Sequence, residues 1–139
     1  MTSPFSVFFK TIRLRSRLRQ SELATILHYE QAYVSAIELG VKPPSDEFMR
    51  KLALGLNFTD EDVAGMHQAA EQSQRRYVLP RDVPTETYLL CHQMWKKIDR
   101  LYPAQIRAIS EMLNMDEQIA REPNVPTRLR RRVKEAAKK

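Results

Sequence analysis

Apolar residues recur along this chain at helical steps, and no two runs of alternation face each other as strands would, so the pattern predicts an all-α protein. Phe5, Phe8, Phe9 and Ile12 follow Ser3-Pro4, which supplies a cap and a first residue for helix 1. Arg13, Arg15, Arg17 and Arg19 then alternate with Leu14, Ser16 and Leu18. With no second strand to pair with, this stretch reads as the helix end and the connection onward. Leu23, Ala24 and Leu27 make one short stripe and Val34 and Ile37 another, while the residues between them suffice only for a tight corner. Two short helices closing on each other are the consequence. Gly40 with Pro43 and Pro44 stops the second of them. Ser45 then caps helix 4, with Asp46 and Glu47 in its positive first turn and Phe48, Leu52 and Leu54 to Leu56 turning inward. Thr59 and the acids after it repeat that logic for helix 5, whose Val63, Met66 and Ala70 form a narrow stripe.

Two prolines, Pro80 and Pro84, break the pattern and bracket an extended stretch. The division this predicts is a domain over 1–76, a linker over 77–84, a helical hairpin over 85–122 and a basic, flexible tail over 123–139. In the hairpin Thr85 caps helix 6, which carries Tyr88, Cys91, Trp95, Ile98 and Tyr102 on one face, widened by Leu90, Met94 and Leu101. Pro103 ends it and begins helix 7, with Ile106, Ile109, Met112, Leu113 and Ile119 along one side. A pair this small cannot bury both stripes alone, so it is expected to dimerise or to lie on the first domain.

Charge sharpens the picture by where it sits. The net +6 is matched by residues 124–139 alone, with seven basic side chains against one acidic; the rest sums to zero, a basic excess through residue 45 being offset by an acidic excess after it. Basic ends on a neutral middle suit a polyanion such as DNA. A single cysteine, Cys91, excludes an intrachain disulfide and fits a reducing cytoplasm. No apolar run is long enough to span a membrane, and the start of the chain lacks the order of a secretion signal.

The outward face of the 31–38 helix is polar but uncharged, as base-edge reading requires. Gln31 can donate and accept at once, matching adenine N6 and N7; Ala32 and Ala36 offer contact to thymine methyls and Ser35 a less selective hydrogen bond. The phosphate candidates are Gln20, Tyr33, Lys42, Arg15, Arg17 and Arg19, Gln20 because it opens a helix whose dipole favours an anion. Catalysis is not expected. Cys91 and His92 are adjacent but point about 100° apart on a helix, and the three histidines are too scattered for a metal set. With three glycines and no phosphate-cradling loop, neither a metal nor a cofactor is expected.

Residues 5 to about 70 resemble the Cro/C1-type (Xre) helix-turn-helix family of bacterial and phage repressors. The resemblance is carried by Gln20-Ser21-Glu22-Leu23-Ala24, by Gln31-Ala32-Tyr33-Val34-Ser35-Ala36-Ile37-Glu38, by the Glu38-Leu39-Gly40 ending and by Pro43-Pro44 before helix 4. It implies a five-helix, lambda-repressor-like domain that binds double-stranded DNA as a homodimer on an inverted repeat. It also implies base reading by Gln31, Ala32 and Ala36, a phosphate contact from Gln20, and an Arg13–Glu38 pair holding helix 1 to helix 3. The chain departs from the family twice: His28 stands where a glycine usually turns the corner, and Arg19 where a Ser, Thr or Asn caps helix 2. The function expected is a cytoplasmic, sequence-specific repressor. The alternatives are an antitoxin whose hairpin masks a toxin while the head represses its own operon, and an adaptor that uses the fold only as scaffold.

Overall fold

Every donor at the start of the first helix has a partner, and one of those partners lies 68 residues away. In α1 (Pro4–Arg15), Ser3 N–H donates to Ser6 Oγ at 2.8 Å, Pro4 has no N–H, Phe5 N–H donates to Ser73 Oγ at 2.8 Å and Ser6 N–H donates to Ser3 Oγ at 3.1 Å. The Ser73 hydroxyl donates in turn to the Ala69 carbonyl at 2.7 Å, so the beginning of α1 is tied to the end of α5. Ser6 is buried, which is tolerable because its hydroxyl also donates to the Ser3 carbonyl.

The structure is a computed structural model describing residues 2–116, and it divides into two units, Met1–Val78 and Leu79–Lys139. The first unit contains α1, α2 (Gln20–Leu27), α3 (Gln31–Glu38), α4 (Asp46–Gly55) and α5 (Asp60–Gln72). Helix α1 packs on α3 and α5, α2 packs on α3 and α4, and α4 packs on α5. The centre is Phe9, Leu23, Val34, Phe48 and Leu52, all fully buried, with Phe5, Leu27, Ile37 and Met66 around them. Each such side chain contributes about 1.5–3 kcal/mol by leaving water. Phe48 is the hub of the aromatic packing: its ring lies 5.5 Å from Phe9 of α1, 5.5 Å from Tyr29 and 5.7 Å from Tyr33. Gly55 lets α4 close on α2, because a Cβ there would sit 3.1 Å from Ile26 Cγ2 and 3.2 Å from Leu27 Cδ2. Leu54 is exposed rather than turned inward, since it lies two residues, and so about 200°, around the helix from the buried Leu52. Met49 and Ala69 take core places instead.

Helices α1 to α4 all end the same way. One residue in the left-handed region closes each: Arg17 at φ 55°, His28 at 60°, Gly40 at 75° and Asn57 at 50°. The amide after each reaches back five residues, Leu18 to the Arg13 carbonyl, Tyr29 to Ala24, Val41 to Ala36 and Phe58 to Ala53, at 2.9–3.2 Å. This is the Schellman arrangement, and it satisfies carbonyls that a helix end otherwise leaves open. The hydrogen bonds and the packing they permit outweigh the 1–2 kcal/mol or so that a side chain costs in that region.

In the second unit α6 (Thr85–Lys97) and α7 (Pro103–Leu113) contain no buried residue. Helix α6 stops five residues short of Tyr102, which is instead the N-cap of α7: Pro103 forces the residue before it into extended backbone, at ψ 149°. Thr85 is not the cap of α6 either, because that position falls on Pro84, which has no side-chain acceptor. The apolar faces expected to form a seam are open, with Trp95 70% and Tyr102 73% exposed. Ile119, the last residues of the expected hairpin and the basic tail lie outside the described residues. Among the described residues no helix is long and apolar enough to cross a membrane.

Candidate nucleic-acid interface

The interface is built on the corner between α2 and α3. Leu23, Ala24 and Leu27 on α2 and Val34 and Ile37 on α3 are all buried, so the two helices are clamped at one relative setting. His28 supplies the left-handed residue of the corner at φ 60°, ψ 42°, one of the few non-glycine types that occupies this region readily. Tyr29, next in line, stacks on Tyr33 of α3 with ring centres 4.6 Å apart, and both rings lean on Phe48. Lys51 lies 4.6 Å over the Tyr29 ring and Lys42 5.1 Å over that of Tyr33, capping the stack with cations on both rings. Corner, second helix and α4 are thus one packed body.

A second brace comes from behind. Arg13 Nε donates to Glu38 Oε2 at 2.9 Å and Nη2 to Oε1 at 2.7 Å, while Nη1 donates to the Leu18 carbonyl at 2.8 Å. The two side chains are 13% and 7% exposed, and the hydrogen bond to Glu38 raises the Arg13 pKa above its ordinary value, keeping the guanidinium charged. This fork holds the last residue of α3 to α1.

On that frame Gln31 and Ala32 are exposed in the first turn of α3, and neither side chain has a partner among the described residues. Ser35 and Ala36 are half-buried, further along the same helix. Gln20 opens α2 and is half-buried; Arg17, Arg19 and Lys42 are exposed and form no ion pair among the described residues. Two members of the expected phosphate set have other work. Arg15 Nη2 donates to Asp62 Oδ2 at 3.0 Å, linking α1 to the start of α5. Tyr33 has its ring committed to the stack, which leaves its hydroxyl as the group that can meet a phosphate. Sequence reasoning missed the packing role of Tyr29, because a tyrosine in a corner carries no periodic signal.

The cap of α2 has an unusual economy. Arg19 stands at the N-cap and its side chain accepts no hydrogen bond, but Glu22 Oε1 accepts the Arg19 N–H at 3.0 Å. The first-turn amides of Gln20, Ser21 and Glu22 are left without a side-chain acceptor among the described residues. A missing cap and an open anion site at a helix start are the same geometry. Asp62, by contrast, is held below the ordinary carboxylate range, first by its hydrogen bond from Arg15 and then by the Thr59 amide, with desolvation opposing.

Comparison of the chain with curated proteins and with solved structures gives no match. Residues 4–66, a little under half of the chain and most of the first unit, match the family model of a helix-turn-helix domain, which supports a DNA-binding regulator of transcription.

Proposed function

We propose that the protein is a homodimeric, sequence-specific transcriptional repressor of the Cro/C1 (Xre) type, acting on an inverted-repeat operator. The observation that carries this reading is the clamped α2–α3 pair with Gln31 and Ala32 uncovered in the first turn of its second helix. Laid in the major groove, that turn brings Gln31 to adenine edges and Ala32 to thymine methyls; Ser35 and Ala36 follow one turn later as lighter contacts. The open amides at the start of α2, with Gln20, take a backbone phosphate, and Arg17, Arg19, Lys42 and the Tyr33 hydroxyl take others. Arg15 has the weakest claim, since its guanidinium already serves Asp62.

Doubling of the head falls to the second unit, whose uncovered Trp95, Tyr102 and Leu113 are the apolar groups a self-association would bury. The same faces favour a second reading, an antitoxin that masks a toxin there while the head represses its own operon. Selection of bound sites from random DNA, with the mass of the complex measured alongside, tests the reading. An inverted repeat bound by two chains is the expected result, and a site without two-fold symmetry bound by one chain would sink it. Within the selected site, Gln31→Ala should cost about 1–3 kcal/mol and little on random DNA. Equal loss on both would remove Gln31 from base reading. Co-purification from the native host separates repressor from antitoxin.

A further inference from the structure

The first unit has a hollow of about 660 Å³ beside the α2–α3 head, which shares with it only Lys42, the cation over the Tyr33 ring. It is bounded by the 40–44 loop after α3, by the start of α1 and by the end of α5. Its lining includes three cations, Lys42, Arg75 and Arg76, together with Thr2 and Gln74, and no acidic residue. Arg75 and Arg76 are exposed and form no hydrogen bond or ion pair among the described residues. Pro43 and Pro44 supply wall without backbone donors, and the charged donors in the lining are all cationic. A guanidinium offers a planar fork that matches a phosphate with two parallel hydrogen bonds, and a second guanidinium with an ammonium completes its charge. Arginines kept unpaired beside one concave site, with nothing there to repel an anion, are what a phosphate needs.

We propose that this hollow is a phosphate-binding site in which Arg75 and Arg76 hold the phosphate oxygens and Lys42 closes the third side. The phosphate comes either from the DNA backbone beyond the reach of α2 and α3, or from a free phosphate or phosphomonoester. In the first case the site rests on the DNA-binding reading and extends its footprint; in the second it stands without it.

The test uses the full chain and the double variant Arg75→Gln/Arg76→Gln, with Lys10→Gln as a charge control on the exposed side of α1. DNA binding is followed by fluorescence anisotropy across a salt series, and binding of inorganic phosphate and of adenosine 5′-monophosphate by calorimetry without DNA. A backbone source predicts that the log–log salt slope falls by about 1–2 in the double variant and not in the control, equally on specific and random DNA. A free source predicts saturable binding of phosphate or the nucleotide to the wild-type chain, lost in the double variant. Gln74→Glu, which places a carboxylate in the same lining, should weaken whichever readout responds, and it covers the case in which the double variant does not fold. An unchanged salt slope together with no saturable binding overturns the proposal. So does a slope loss that Lys10→Gln reproduces when no saturable binding is seen. Failure of the wild-type chain to bind DNA at all would fall on the DNA-binding reading, and the calorimetric arm would still decide the site.

Discussion

Arg13 and Glu38 show how much one pair of residues can decide. Their fork is almost closed to water, and the remaining Arg13 nitrogen is taken by the Leu18 carbonyl. Removing one member strands the other: Arg13→Met or Glu38→Leu alone should cost about 3–5 kcal/mol in urea unfolding. The two changes together should cost far less than their sum, because an apolar pair can fill the same space. Simple additivity would show that the fork contributes no coupling. Residue-level legibility was uneven for a physical reason. Buried apolar positions such as Leu23, Val34 and Phe48 announce themselves by periodicity, whereas a contact between residues 25 apart, such as this fork, leaves no local pattern and was available only through the family resemblance. Tyr33 is the converse, a polar-looking position on the expected outer face whose ring the fold uses as packing.

At the scale of elements, three helix starts were readable, the start of α6 was not, and most helix ends were not. Ser3, Ser45 and Thr59 cap α1, α4 and α5 with their own side chains, as short oxygen-bearing residues before a helix should. Of the four left-handed ends, only Gly40 carries the usual glycine signal. Arg17 and Asn57 take that conformation because the next residue, Leu18 or Phe58, gains a place against the core, which is a tertiary reward invisible in the local sequence. The link between α1 and α5 is similar. It runs through Ser73 at one end and Arg15–Asp62 at the other. Because Asp62 has its pKa lowered in the fold, its contribution is present above the ordinary aspartate value of about 3.9 and is lost as pH falls through the lower, folded value. Arg15→Gln should therefore lower the neutral plateau of the melting temperature slightly and flatten its fall on the acid side of about pH 4, so that the two curves meet at low pH. An identical acid limb in the variant would show that Arg15 is not what lowers the Asp62 pKa.

For the whole molecule, the two units pose different questions. The first is explained by its own contents: a core, matched helix ends and a braced α2–α3 pair. Among its described residues the second has two helices with apolar faces and no buried residue in either, so its stripe was legible but what covers it was not, since a partner is not encoded in periodicity. If that partner is a second copy, Trp95→Asp should shift the protein from dimer to monomer in sedimentation at micromolar concentration. Operator affinity should fall with it, while the melting of the first unit stays put. A wild-type chain that sediments as a monomer throughout would move the stripe to a different partner.

The four matched helix ends are not equally well sealed. Leu18, Tyr29 and Phe58 follow their left-handed residues into contact with the core, but Val41, which follows Gly40, is 73% exposed. Three corners are held by hydrogen bonds and by a side chain, and the fourth by hydrogen bonds alone. Local opening should therefore begin at the corner behind α3, with the Val41 amide exchanging its proton for solvent deuterium well before those of Leu18, Tyr29 and Phe58. The segment with most freedom to breathe is the one that would have to settle last against a bound phosphate.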